Sequence, residues 1–248
     1  MDSKLAHIWR VAVVHVKRDA AAPWWLRSTS GNFETMIIAV DGPAASGKGT
    51  VAKGLADHYG LKHLDTGLLY RAVGLAMRDA YEGPDFATKA VAAAQSIDTE
   101  SLDPDVLGAP DVALLAAKVA RIEDVRSALR QFQIDFSQQP GGTILDGRDI
   151  GTRICPDADV KLFITASPET RAQRRTAQLR ARGDPVSEAE ILAQIEARDE
   201  SDRSNPAGAF YRADGAHLLD TSEMDIEAAL RAAIAIVDAA VAHKSGQT

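Results

Sequence analysis

A run of nine residues, Gly42-Pro43-Ala44-Ala45-Ser46-Gly47-Lys48-Gly49-Thr50, carries the clearest chemistry in this 248-residue chain. Glycines let a backbone fold tightly enough for successive N–H groups to converge on an anion. A following helix adds the positive end of its dipole, and Lys48 adds a mobile full charge. The pattern G-x-x-x-x-G-K is a phosphate cradle. Where the general motif has a Ser or Thr hydroxyl for magnesium after the lysine, this chain has Gly49, and Thr50 comes one place later. Three other short runs mix acids, small residues and cations: Asp65-Thr66-Gly67, Asp146-Gly147-Arg148-Asp149 and Asp220-Thr221-Ser222. Arginines crowd the stretch 171–205. Arg180 and Arg182 read as a solvated helical face, and Arg171, Arg174 and Arg175 as a lid closing over phosphates. The chain has no Ser/His/Asp order, no H-E-x-x-H and no paired-cysteine site. Such an inventory suits phosphoryl transfer, which needs positioning, charge neutralisation and exclusion of water more than acid–base groups.

The elements that must position these residues follow from the apolar pattern. Strand-length apolar runs are Met36–Val40, Leu61–Leu64, Thr143–Leu145, Val160–Thr165 and His217–Leu219. Helical periodicity occupies Lys48–Tyr59, Gly67–Ala80, Asp111–Phe136, Pro168–Arg182, Ser187–Glu200 and Asp225–Ala242. Strands alternating with helices predict an α/β fold, a five-stranded parallel sheet flanked by helices. In open sheets of this kind the ligand crevice lies beyond the carboxyl ends of the strands. The acid- and glycine-rich runs stand at those ends, so they are expected around one cleft. Two stretches break the rhythm: an insert at about 81–125, with an irregular connection Asp98–Asp111, and the lid at about 171–205.

Composition is that of a globular protein, with 46% hydrophobic and 25% charged residues. A formal charge of −7 argues against broad nucleic-acid or membrane-surface binding, while leaving room for a local basic pocket. The single Cys155 fits a reducing interior and hence a cytoplasmic location. No apolar stretch reaches the roughly 18–20 residues that a membrane span needs. Residues 1–35 hold all three tryptophans and five Lys/Arg against three Asp/Glu, unlike the remainder. They read as an extension outside the folded domain 36–248, disordered or upstream of a native start at Met36. N-terminal sequencing of the native protein tests that expectation.

The motifs together resemble the bacterial cytidylate kinase family. The resemblance rests on Ile37–Thr50, on Leu64-Asp65-Thr66-Gly67-Leu68-Leu69-Tyr70-Arg71 and on Asp146-Gly147-Arg148-Asp149-Ile150-Gly151-Thr152. It extends to Asp157–Phe163, Arg198-Asp199-Glu200-Ser201-Asp202 and Leu219-Asp220-Thr221-Ser222, spanning about residues 36–240. It implies a P-loop nucleoside monophosphate kinase fold with a small acceptor-binding insert and a short lid. ATP would lie in the loop Gly42–Thr50, with Arg174 and Arg175 of the lid. Mg2+ would be held mainly through ATP phosphates and water, with no protein metal ligands. Lys48, Arg71 and Arg148 would be catalytic, and Thr66, Arg71 and Arg148 would meet the acceptor's phosphate. Asp149 and Arg126 would read cytosine; on its residue pattern alone Arg126 also reads as an exposed helical charge. Arg198 and Asp202 would hold the sugar, or else form an i,i+4 helix ion pair.

Two positions depart from the family pattern: Ala117 where a serine is expected, and Asn205 where an arginine is expected, with Arg203 or Arg212 as substitutes for the lost cation. The expectation is an ATP:(d)CMP phosphotransferase acting as a monomer. The alternatives are a kinase for another monophosphate or small metabolite, and a non-catalytic nucleotide switch. The D-T-G-x-x-Y-R and G-R-D-x-G runs favour a kinase, and the N-K-x-D motif of guanine-specific switches is absent.

Overall fold

A computed structural model describes residues 36–80, 83–98, 104–207 and 210–245. The N-terminal extension lies outside the described residues. Five strands form one parallel sheet: β1 Ile37–Asp41, β2 Lys62–Asp65, β3 Thr143–Gly147, β4 Val160–Thr165 and β5 His217–Asp220, in spatial order β2-β3-β1-β4-β5. Central β1 pairs Ile37 with Thr143 of β3 and Ile38 with Val160 of β4. The chain leaves β1 to one side to build β2 and β3, and only afterwards crosses to β4. The loop after β1 therefore sits where the winding reverses, the crevice position of open α/β sheets.

The helices are α1 Lys48–Tyr59, α2 Thr66–Ala76, α3 Phe86–Gln95, α4 Pro104–Leu107, α5 Pro110–Val119, α6 Glu123–Ser137, α7 Pro168–Ala181, α8 Glu188–Arg203 and α9 Ile226–Ser245. Alternation along the buried strands sends successive residues to opposite faces. Ile38 and Val40 pack with α1 and α9 in one core layer, whereas Ala39, Leu64 and Leu145 pack with Phe136 of α6 and Ile150 in the other. A separate cluster joins Leu69 and Val73 of α2 to Ala90 of α3, Val119 of α5 and Leu129 of α6. A fourth holds α7 to α8 through Ala172, Leu179, Ile191 and Ile195.

The expected strands match within a residue or two at each end. The helices differ in three places. The expected Asp111–Phe136 helix is two, α5 and α6, separated at Ala120–Ile122, because Val119 and Val125 both turn into the α2–α3 cluster. One straight helix cannot present both to it in this packing. The expected Gly67–Ala80 helix stops at Ala76 and passes into a 3₁₀ turn, Arg78–Ala80. Helices α3 and α4 were not expected, the latter within the supposedly irregular 98–111 stretch. Helix α3 is short and alanine-rich, and α4 is a single turn.

Candidate active site

The phosphate loop follows directly from β1. A Cβ on Gly42 would lie 2.0 Å from the Ile164 carbonyl oxygen, so only glycine lets the chain pass between β1 and β4 there. Gly47 has φ 86°, and Ala45, at φ 60°, holds a left-handed conformation that non-glycine residues rarely keep outside functional sites. Gly47 is also the N-cap of α1, and it offers no side-chain cap. Helices α7 and α8, by contrast, are capped by the Ser167 and Ser187 hydroxyls. The first N–H groups of α1 are thus left for an anion. Pro43 and Ser46 are buried within the loop, and Thr50 is exposed on α1.

Beside the loop lies a cleft of about 210 Å³. Ala44, Ala45 and Lys48 line its donor end, and Thr66, Arg71, Arg126, Arg148, Asp149, Arg198 and Asp202 also reach it. Arg148 and Asp149 follow β3, and Thr66 and Arg71 follow β2 on α2, as the strand-end argument expects, whereas Arg126 comes from α6, Arg198 and Asp202 come from α8, and the run 220–222 does not line the cleft. Burial, reinforced by the nearby Arg148 charge, pulls the Lys48 ammonium down to about 8. Among the described residues Lys48 has no ion-pair partner within 4.0 Å. Burial also lowers the Arg71 guanidinium, whose Nη1 donates to the Leu107 carbonyl at 2.8 Å and so ties α2 to α4.

Arg198 and Asp202 do not form the i,i+4 pair that their spacing allows. Asp202 instead accepts from Arg148 Nε at 2.8 Å. Arg198 Nε is buried without a hydrogen-bond partner among the described residues, and burial together with Arg148 brings its guanidinium down to about 10. A buried donor nitrogen without an acceptor costs free energy unless a ligand completes it. At the opposite end Arg126 and Asp149 are both buried and paired through Nη2 and Oδ2. Arg126 is therefore no exposed helical charge. Thr66 is buried, and its hydroxyl donates to the Asp146 carbonyl at 2.8 Å.

The arginines of 171–205 are placed unevenly. Arg171 is buried and makes a two-pronged pair with Asp199 at 3.0 and 2.6 Å. Arg174 is bound to Thr221 Oγ1 at 3.0 Å, to the Thr221 carbonyl at 2.6 Å and to the Ser46 carbonyl at 3.4 Å. Both are fastened into the protein, bracing the phosphate loop from outside the cleft, and are not loose lid cations. Arg175 donates to Gln178 at 2.7 Å, and burial lowers its guanidinium, helped by the charges of Arg71 and Arg182. Arg182 is exposed as expected, yet its charge is felt at Arg71 and Arg175. Arg203 is exposed and paired with Glu200, and Arg212 is exposed; neither lines the cleft.

Three acids at the ends of strands, Asp41, Asp65 and Asp146, also shape the site, though none was expected as a site residue. Asp41 accepts from the N–H groups of Ile150 and Gly151 at 2.9 and 2.8 Å, shaping the π-helical turn Ile150–Ile154 just after Asp149. Burial pushes its carboxyl up to about 6, against the pull of those two hydrogen bonds. Asp65 caps α2 by accepting from Gly67 N at 2.9 Å, and burial with the Asp146 charge raises its pKa. Asp146 pairs with His63 at 2.8 Å. A Cβ at Gly49 would stand 3.8 Å from Asp146 Oδ1, so the phosphate loop runs close beside this buried carboxylate. The signal was available: an acid as the last residue of a buried parallel strand faces the ligand crevice.

A model of the cytidylate kinase family matches residues 38–239. The chain belongs to the cytidylate kinase family. Curated relatives agree. The cytidylate kinase of Rhodopseudomonas palustris (strain BisA53) is 52% identical over 204 residues, covering 82% of this chain and 97% of that protein. That of Nitrobacter winogradskyi is 52% identical over 212 residues, 86% of this chain and 100% of the relative. That of Methylocella silvestris is 52% identical over 207 residues, 83% and 95% respectively. Family membership bears out the expected class of enzyme, a phosphotransferase on a P-loop α/β fold. Among the described residues no helix is long and apolar enough to cross a membrane.

Proposed function

We propose that the chain transfers the γ-phosphoryl group of ATP to CMP or dCMP, giving ADP and (d)CDP, as a cytoplasmic monomer. One observation carries the reading. An uncapped helix N-terminus with Lys48 and a second set of incompletely matched cations, Arg71 and Arg198, face one cleft that ends in the Arg126–Asp149 pair. Donor phosphates fit the loop 42–50, the acceptor phosphate fits Arg71, Arg148 and Arg198, and the base fits Asp149. A carboxylate accepts from the exocyclic amine of cytosine and disfavours uracil, which presents a carbonyl at that place.

In this arrangement an acceptor phosphate oxygen attacks the γ-phosphorus in line. The new P–O bond forms as the bond to the bridging oxygen breaks, and its electron pair leaves with ADP. The protein supplies position and charge. Lys48 neutralises transferring oxygens, Arg71 and Arg148 orient the attacking phosphate, and Asp202 fixes Arg148. Thr66 holds the Gly147 turn in place. Arg174 braces the loop, and Arg175, outside the cleft lining, feels the charges of Arg71 and Arg182, a repulsion that a bound polyphosphate would relieve.

Among the described residues no group of three or more His, Cys, Asp or Glu gathers as a metal site. Asp65, which lines the cleft, with the buried Asp146 behind it, nonetheless fits a hard cation, which prefers carboxylate oxygen and water. Mg2+ held by ATP and water, with these carboxylates outside it, would supply neutralisation of phosphate charge. The residues 81–125 and 171–205 are proposed as acceptor insert and lid. Coupled ADP release with CMP, dCMP, UMP, AMP and shikimate in parallel tests the reading. Turnover with CMP and dCMP well above the others is expected; preference for AMP or shikimate, or no turnover with any acceptor, overturns it.

A further inference from the structure

The cleft wall holds a cation that the reading above leaves without a task. Arg121 stands in the short link between α5 and α6 and lines the cleft beside Ala117, Ser201 and Asn205. Its Nη1 donates to the Ser201 carbonyl at 3.4 Å and to Ser201 Oγ at 3.2 Å. Among the described residues it pairs with no carboxylate, whereas Arg126 and Arg148 each do. Arg121 is exposed, and its two long hydrogen bonds go to neutral oxygens, so no protein carboxylate among the described residues competes with an incoming anion for it.

Its neighbours cannot do the same work. Ala117 has no polar atom beyond its backbone. Asn205 is neutral, and both ends of its amide are engaged within the protein. Nδ2 donates to the Ala120 carbonyl at 3.3 Å, and Oδ1 accepts from Ala207 N at 3.0 Å. The Ala120 carbonyl also accepts from Arg126 Nη1 at 3.3 Å, so Asn205 binds the same link that carries Arg121. Arg198, Ser201 and Asn205 follow at i, i+3 and i+7, one stripe along α8 and its end. Arg121 thus reaches the stripe one turn beyond the unmatched Arg198.

We propose that Arg121 is an acceptor-binding residue whose guanidinium engages the acceptor's phosphate, supplying from the α5–α6 link the cation absent at position 205. The contact with Ser201 is its resting place, exchanged for phosphate oxygens when the acceptor enters. A guanidinium fork gains more from a phosphate than from a hydroxyl and a carbonyl. This inference rests on the proposed function.

The test compares wild type, Arg121→Ala, Arg121→Lys, Ser201→Ala and the double variant Arg121→Ala/Asn205→Arg, with steady-state kinetics and calorimetric binding of CMP and of cytidine. Arg121→Ala is expected to raise the KM and Kd for CMP about tenfold. The KM for ATP, the cytidine Kd and the melting temperature should stay as in wild type. Arg121→Lys should recover part of the loss, Asn205→Arg should restore CMP binding in the Arg121→Ala background, and Ser201→Ala should bind CMP normally. Equal losses for CMP and cytidine, an unchanged CMP KM, or a Ser201→Ala variant as impaired as Arg121→Ala would each overturn the proposal, the last by making Arg121 a brace. Wild-type turnover of CMP judges the function separately. A wild type that prefers another monophosphate refutes the cytidine reading, and the same comparison is then run with that acceptor.

Discussion

The two ends of the cleft are built in opposite ways. The donor end is local: nine consecutive residues, a tight passage at Gly42, a left-handed Gly47 and the uncapped first turn of α1. Its binding groups are backbone N–H groups and one lysine, so any nucleoside triphosphate with the same phosphates fits it. The acceptor end is assembled from distant parts. Arg126 meets Asp149 across 23 residues, Arg148 meets Asp202 across 54, and Arg121 meets Ser201 across 80. Almost every group there is a side chain held by another. A local, backbone-made site changes little when one side chain is altered, Lys48 excepted; a networked one passes each loss to its partners.

That contrast is open to direct attack. Lys48→Ala should show the largest effect, loss of measurable turnover with an unchanged circular dichroism spectrum, because the loop is shaped by its backbone. Near-normal turnover would remove Lys48 from the mechanism. Asp149→Ala should come next, costing roughly 1–3 kcal/mol of discrimination between CMP and UMP. It should leave the KM for ATP in place, and parallel kinetics with both acceptors check both statements. It also strands the buried Arg126, so a fall in melting temperature is expected alongside.

Asp41→Asn replaces one acceptor oxygen by an N–H donor facing a backbone N–H at Ile150 or Gly151. The turn after Asp149 should shift, with a roughly tenfold rise in the KM for CMP, on the scale of a lost hydrogen bond to a charged group. A normal CMP KM would show that the turn holds its own shape. The smallest effect concerns pH. Lys48 lies near 8 without nucleotide, and ATP phosphates must raise it. ATP binding therefore takes up a proton near and above pH 8, and affinity should fall as pH rises, by at most tenfold per unit. Below about pH 7 the lysine is already charged and the affinity should level off. Calorimetry in buffers of different ionisation enthalpy measures the proton directly; no uptake at pH 9 would place the lysine's pKa elsewhere.

The donor end was legible because every signal for it lies within one short window. The same holds for the five strands, whose apolar runs are read from neighbours in sequence. The helical insert was harder: α5 and α6 share one continuous periodic pattern, and only the need to turn both Val119 and Val125 into the α2–α3 cluster separates them. The arginines show the limit most plainly. Arg171, Arg174, Arg180, Arg182 and Arg198 look alike in sequence. Arg171 is buried against Asp199, Arg174 braces the loop through Thr221, and Arg198 faces the cleft with Nε unmatched.

By itself the order of residues determined a parallel α/β sheet, a phosphate loop after its first strand and acids at the strand ends, since backbone conformation and apolar periodicity depend on near neighbours. It also carried the family resemblance. Tertiary structure alone decided which cation is compensated and which is free for a ligand, because charge matching is a matter of distance through space. That is how Asp202 came to hold Arg148 and not Arg198, and how Arg121, inconspicuous in its sequence neighbourhood, came to line the cleft.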